Sequence, residues 1–268
     1  MILHAVERGA GAPVALLHGL YGHAGNFGTV QRRLAATGRR VIAFDLRNHG
    51  ASPRAPTMTY RDMASDVLET LRAANALPCA LIGHSMGGKV AMCAALVAPA
   101  SVARLLVADI APVAYAHELS HAAYLDAMAA VPLHPGLTRA EADAALAGAV
   151  PDARIRGFLL TNLQPGALPA WRIDLAALAA SLPLLVGWPK DLGGRYDGPT
   201  LFLSGARSDY VIADYRPIIR ALFPAARFAS LAAAGHWLHA DDPDGFVMAA
   251  AAFLDRDPSP RRSQGQLS

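Results

Sequence analysis

A serine hydroxyl attacks a carbonyl only when a base removes its proton and donors hold the oxyanion that forms. Ser85 has a setting suited to that task, in Gly83-His84-Ser85-Met86-Gly87, between the apolar run Ala80–Ile82 and an alanine-rich stretch from Gly87 to Ala98. The pattern predicts a strand, a sharp turn and a helix, with the serine on the turn. Such a turn crowds the backbone, so the positions two before and two after the serine must lack bulk, and both are glycine. Gly88 lets the helix approach the neighbouring strands. The Gly-x-Ser-x-Gly spacing alone is common in ordinary loops; the flanking strand and helix give it weight.

An oxyanion needs two convergent backbone N–H groups. Met86, directly after the serine at the start of the helix, offers one, where free donors and the helix dipole favour negative charge. The second is expected from Leu20, in the loop His18-Gly19-Leu20-Tyr21-Gly22 that follows the apolar run Val14–Leu17. His18 reads as a residue that ties this loop together rather than as a base. The base is expected in a loop after the last strand, where Gly235-His236-Trp237 follows Arg227–Leu231. His239 falls in the turn toward the final helix, so His236 is preferred.

The acid has two candidates. Asp209 follows the strand Thr200–Leu203 in Gly205-Ala206-Arg207-Ser208-Asp209, one residue late for a Gly-x-x-Asp pattern. Asp109 ends the strand Leu105–Val107, next to the serine's own, and a carboxylate there can accept the imidazole Nδ1–H and stabilise imidazolium. Asp109 is favoured, with Ser208 as an auxiliary hydrogen-bond partner. The alternatives are plainer: a loop cap for Asp109, and a turn residue or helix cap for Asp209.

Other polar groups resolve into structural readings. His117 and His121 have i, i+4 spacing, yet no Glu completes a His-Glu-x-x-His pattern, so a solvated helix face is expected. Asp45-Leu46-Arg47-Asn48-His49-Gly50 follows a strand and reads as a turn tied by charge-assisted hydrogen bonds. No Gly-x-Gly-x-x-Gly and no phosphate-binding loop occur. No metal and no organic cofactor are expected.

The elements that must position these residues alternate. Apolar strands are predicted at Val14–Leu17, Val41–Phe44, Ala80–Ile82 and Leu105–Val107, separated by helices at Thr29–Thr37, Tyr60–Ala76 and Gly87–Ala98. Alternation of this kind argues for a parallel sheet wrapped by helices. It lapses between about Ala111 and Tyr196, an alanine-rich helical stretch broken by prolines, with no convincing buried strand. It resumes with the strand Thr200–Leu203, the helix Tyr215–Leu222, the strand Arg227–Leu231 and a last helix from Asp244 to Leu254. The division expected is a core of residues 1–110 and 197–255, an inserted helical cap of residues 111–196, and a disordered tail at 256–268.

Bulk composition narrows the function classes. The 268 residues are 53% hydrophobic and 17% charged, enough to bury a large core and incompatible with wholesale disorder. The net charge of +3 is scattered, with Lys89 and Lys190 the only lysines, so no nucleic-acid or membrane surface is read from it. Two cysteines, Cys79 and Cys93, make no disulfide framework. Met1-Ile2-Leu3-His4 does not begin a signal peptide, and no apolar run reaches membrane-spanning length, so a cytoplasmic location is expected.

Taken together, His18–Gly22, Asp45–Gly50, Gly83–Lys89, Asp109-Ile110-Ala111-Pro112-Val113, Val186-Gly187-Trp188 and Gly235–His239 resemble the α/β-hydrolase superfamily, most closely the YbfF-type bacterial esterases. The resemblance implies a mostly parallel sheet flanked by helices with a helical cap, and hydrolysis of short acyl esters, including coenzyme A-type thioesters. It also implies Asp109 as the acid, with a serine at the place of Ser208. The chain departs from the pattern in carrying Asp209 beside that serine, and its cap is the least similar part.

The expected chemistry is two-step acyl transfer through an acyl-enzyme on Ser85, with a small acyl ester or thioester as substrate. Tyr21, Trp188 and Trp237 are candidates to line an apolar acyl pocket, each with simple packing as the alternative. The rivals on the same residues are a carbon–carbon bond hydrolase and a cofactor-free perhydrolase. Further off is a non-catalytic small-molecule receptor.

Overall fold

The computed structural model describes residues 1–116 and 118–256. The first part of the chain runs β1 (Ala5–Arg8), β2 (Ala12–Leu17), α1 (Gly28–Ala35), β3 (Arg39–Phe44), α2 (Tyr60–Ala73), β4 (Cys79–His84), α3 (Met86–Val97) and β5 (Val102–Ala108). Inserted after β5 are α4 (Glu118–Ala130), α5 (Arg139–Leu146), α6 (Ala153–Leu159), a hairpin of β6 (Leu163–Gln164) and β7 (Ala170–Trp171), and α7 (Leu175–Val186). The chain then returns through β8 (Thr200–Gly205), α8 (Arg216–Leu222), β9 (Ala226–Leu231), the short α9 (Leu238–Asp241) and α10 (Pro243–Asp255).

Seven strands form one sheet in the order β1-β3-β2-β4-β5-β8-β9, parallel throughout except for β1. The central strands read as unbroken apolar runs because helices cover both faces. One apolar cluster joins Leu17, Leu81, Leu105 and Phe202 to α2, α3 and the inserted helices. The other joins Leu16, Ile82 and Leu106 to α1 and α10. This is the parallel, helix-wrapped sheet expected from the sequence.

Three strands lie outside that expectation. β1 pairs antiparallel with β3, Ala5 opposite Phe44; it is an edge strand whose Val6, Glu7 and Arg8 are exposed, so it carries no apolar run to mark it. The inserted segment was expected to hold no convincing buried strand; a short hairpin lies there, Leu163 pairing with Trp171 and Gln164 with Ala170. A two-residue hairpin is too short to leave a period-2 pattern in the sequence. His117 and residues 257–268, which include nearly all of the expected tail, lie outside the described residues. No helix among the described residues is long and apolar enough to cross a membrane.

Candidate active site

The site assembles at the carboxyl ends of β2, β4, β5 and β8 and in the loop after β9. Ser85 joins β4 to α3 with φ 51° and ψ −120°, a conformation few non-glycine residues adopt. The close approach that makes glycine necessary is plain on both sides: a Cβ on Gly83 would stand 2.2 Å from the Gly87 carbonyl oxygen, and one on Gly87 would stand 2.2 Å from that of Leu17. The turn is anchored by the Ser85 N–H, which donates to the Ala108 carbonyl at 3.0 Å.

His236 comes within reach of Ser85 across the sheet's carboxyl edge. Its Nε2 lies 3.1 Å from Ser85 Oγ, and its Nδ1 lies 2.8 Å from Asp109 Oδ2. A carboxylate only accepts, so Nδ1 carries the proton and Nε2 is left to accept from the serine hydroxyl. Asp109 is fully buried. Its Oδ1 accepts the Gly205 N–H at 3.0 Å, and its Oδ2 also accepts the Ser208 hydroxyl. Like Ser85, Asp109 holds a positive φ, here 53°. Asp209 is exposed and takes no part in this chain of bonds.

Two residues hold His236 in place, one through its main chain and one through its ring. His84 Nε2–H donates to the His236 carbonyl at 2.7 Å. Burial keeps His84 neutral, its pKa well below the usual imidazole range. The Tyr210 ring stacks on His236 with centroids 3.9 Å apart and planes at 23°. Tyr210 is fixed in turn by its carbonyl, which accepts the Tyr115 hydroxyl at 2.6 Å.

Met86 is the first residue of α3, where amides have no intrahelical acceptor. Leu20 lies opposite on the loop after β2, and both residues line one cavity with Ser85 and His236. His18 shapes that loop as expected. Its Nδ1–H donates to the Gly19 carbonyl at 2.8 Å, while Nε2 accepts the Leu46 N–H at 2.9 Å. Burial depresses its pKa to about 4, so it is neutral at pH 7. Asp45 ties its turn by accepting from the Ala24 and Ala51 amides at 2.7 and 2.8 Å.

The cavity has a volume of about 290 Å³. Tyr21 and Trp237 line it, as expected, but Trp188 does not; its indole packs against the outer side of Tyr60, with ring centroids 6.4 Å apart. The inserted segment contributes Tyr124, Ile155, Phe158 and Leu159, and the core adds Tyr60, Lys89 and Tyr210. None of these seven had been singled out as a site residue. Their type spacing in sequence matches ordinary packing, and only Lys89, a charge inside an alanine-rich helix, gave a signal. Its ammonium donates to the Val186 and Gly187 carbonyls at 3.2 and 2.5 Å, and burial lowers its pKa to about 7. His121 also lines the cavity, while no group of three or more metal-binding side chains occurs among the described residues.

Comparison with known proteins places this geometry. Residues 12–243 match the family described as alpha/beta hydrolase fold. The chain is 38% identical to the esterase YbfF of Escherichia coli strain K12, covering 91% of this chain and 93% of that protein. It is 40% identical to the sn-1-specific diacylglycerol lipase ABHD11 of Danio rerio, over 92% of this chain and 80% of that one. A solved structure titled marine microorganism esterase superposes with a TM-score of 0.90 at 32% identity, covering 94% of this chain and 99% of that chain. By fold, by family match and by these relatives, the chain belongs to the α/β-hydrolase family.

Proposed function

We propose that this protein is a carboxylic ester hydrolase working through an acyl-enzyme on Ser85, with His236 as base and Asp109 as the acid behind it. The observation that carries the reading is the unbroken run Ser85 Oγ, His236 Nε2, His236 Nδ1, Asp109 Oδ2, at 3.1 and 2.8 Å. The names of its relatives, an esterase and a diacylglycerol lipase, support an ester as substrate over a carbon–carbon bond or a peroxy acid.

In this mechanism His236 Nε2 takes the Ser85 proton as Oγ adds to the ester carbonyl. The Leu20 and Met86 N–H groups receive the oxyanion, an arrangement worth about 10²–10³ in rate per donor. The imidazolium, held by Asp109, then gives its proton to the departing alcohol oxygen, leaving the acyl group on Ser85. Water enters, His236 takes its proton, and hydroxide equivalent displaces Ser85 Oγ, which regains the proton. Ser208 assists by donating to Asp109, and Tyr21 and Trp237 bound the acyl pocket. Residues 111–196 act as a cap over a core of residues 1–110 and 197–255.

The test is covalent labelling by a fluorophosphonate, with rates on p-nitrophenyl esters of increasing acyl length and on matched thioesters. Labelling of wild type and its loss in Ser85→Ala are expected. Folded wild-type protein that neither labels nor hydrolyses any ester is a receptor, and the reading fails.

A further inference from the structure

The end of α7 is held from outside by the core. The Tyr60 hydroxyl donates to the Leu185 carbonyl at 2.5 Å, the Tyr115 N–H to Val186 at 3.0 Å, and Lys89 Nζ to both Val186 and Gly187. These are carbonyls that a helix C-terminus leaves without intrahelical donors. Pro183 lies inside α7 and supplies no N–H, so the helix lacks the bond to the Ala179 carbonyl just before its last turn. An ammonium set at this end complements the helix dipole as well. Lys89 is 1% exposed and its Nζ sits between two rings, 5.6 Å from the Tyr60 centroid and 4.9 Å from that of Tyr115. Charged or neutral, the amine has enough N–H groups for both carbonyls.

The turn so held is the cavity's wall. Leu185 and Val186 line the pocket beside Tyr60, Lys89 and Tyr115. Lys89 stands on α3 one helical turn beyond Ser85, so the nucleophile and the anchor of the wall share one rigid element. Resting on the ester-hydrolase reading, we propose that Lys89, together with Tyr60, is a specificity-determining positioning residue: by clamping the Leu185–Gly187 carbonyls to the core it sets the depth of the acyl pocket. Neither side chain takes part in the chemistry. Loosening the clamp lets the Leu185–Val186 wall move outward, so longer acyl chains gain relative to short ones.

Lys89→Met keeps the stem and removes the donors; Tyr60→Phe removes one hydroxyl at constant shape and keeps the fold safe. For each, kcat and KM are measured on p-nitrophenyl acetate, butyrate, octanoate and decanoate. Amide hydrogen exchange is followed in parallel over residues 175–188. The expected result is a rise of at least five-fold in the octanoate-to-acetate ratio of kcat/KM for Lys89→Met, about two-fold for Tyr60→Phe, carried by KM on the long esters. Faster exchange at the end of α7 should accompany it. An unchanged ratio in folded, fluorophosphonate-reactive variants overturns the proposal, as does a uniform fall on every ester, which marks Lys89 as merely structural. If Lys89→Met does not fold, Tyr60→Phe decides alone. Failure of wild type to label sinks the ester-hydrolase reading instead, and the exchange data still report whether the clamp exists.

Discussion

At the strand tips, the polar atoms of Ser85, His236 and Asp109 have fixed partners, and those partners are themselves fixed: Gly205 N–H and Ser208 on the carboxylate, His84 and Tyr210 on the histidine. Across the cavity, the inserted segment presents Ile155, Phe158 and Leu159, whose contacts are non-directional. Its main polar ties to the core near the cavity run through main-chain carbonyls, from Tyr60, Lys89 and Tyr21 to residues 185–187 and His121. The contrast teaches that one side of the cavity is held by directional bonds on rigid strand ends and the other is a wall of apolar side chains that can be repacked; on the proposed function the first sets the chemistry and the second the choice of substrate.

The sharpest way to break this contrast is at Ser85, the proposed nucleophile. Ser85→Ala should abolish fluorophosphonate labelling and lower kcat by roughly 10⁴–10⁶, with KM little changed. A variant that kept a tenth of wild-type activity would move the chemistry elsewhere. Next comes the carboxylate. Asp109→Asn should lower kcat by about 10⁴ by favouring the wrong imidazole tautomer, whereas Asp209→Asn should stay within about two-fold, because Asp209 lies exposed outside the bonded chain. Steady-state kinetics on the two variants decide between them, and the reverse pattern would falsify the assignment.

Smaller again is an effect of acid on stability. His18 is neutral in the fold with its pKa depressed to about 4 by burial, whereas the unfolded chain protonates it near 6.5. Between those values the unfolded state binds the extra proton, so stability falls as pH falls through that window and is regained above it. The loss from His18 alone is about 3 kcal/mol. His49, pushed to about 3 by burial, acts in the same direction. Urea midpoints measured from pH 7 to pH 4 should drop, and a flat profile would contradict neutral, buried histidines under the loop after β2. The smallest effect belongs to the wall. Phe158, 5.8 Å from the Trp237 ring, lines the cavity with an apolar ring and no polar group. Phe158→Ala should raise KM for octanoate esters about ten-fold, matching the loss of ~1–2 kcal/mol of apolar contact, with kcat within about two-fold. A collapse of kcat would mean that the two regions are not separable.

Legibility follows the same division. The parallel sheet was visible because β2, β3, β4 and β5 are buried on both faces and so appear as continuous apolar runs. β1 was not, because an edge strand with three exposed residues has no such run. In the insertion, helices were expected and found, but the β6–β7 hairpin was missed for want of length. Trp188 illustrates a different limit. An indole just past the end of α7 can face a pocket or a neighbour with the same sequence around it, and here Tyr60 took it. Tyr210 and His84 carry no motif that announces contact with His236; both act through where a loop happens to return.

What the sequence determined by itself is local. Glycine at position 83, between an apolar strand and a helix, answers a crowding that acts over a few residues, since a Cβ there would meet the Gly87 carbonyl, whereas glycine at 87 answers the Leu17 carbonyl of β2, a neighbour that the sheet supplies. A histidine after the last strand follows from chain order. What only the tertiary structure decided is long-range: that the tip of β5, and not the loop after β8, puts its carboxylate against His236, and that Lys89 reaches the end of α7. Those outcomes depend on strand order in the sheet and on how the chain packs across separations of 98 and 127 residues, and no spacing in the sequence encodes them.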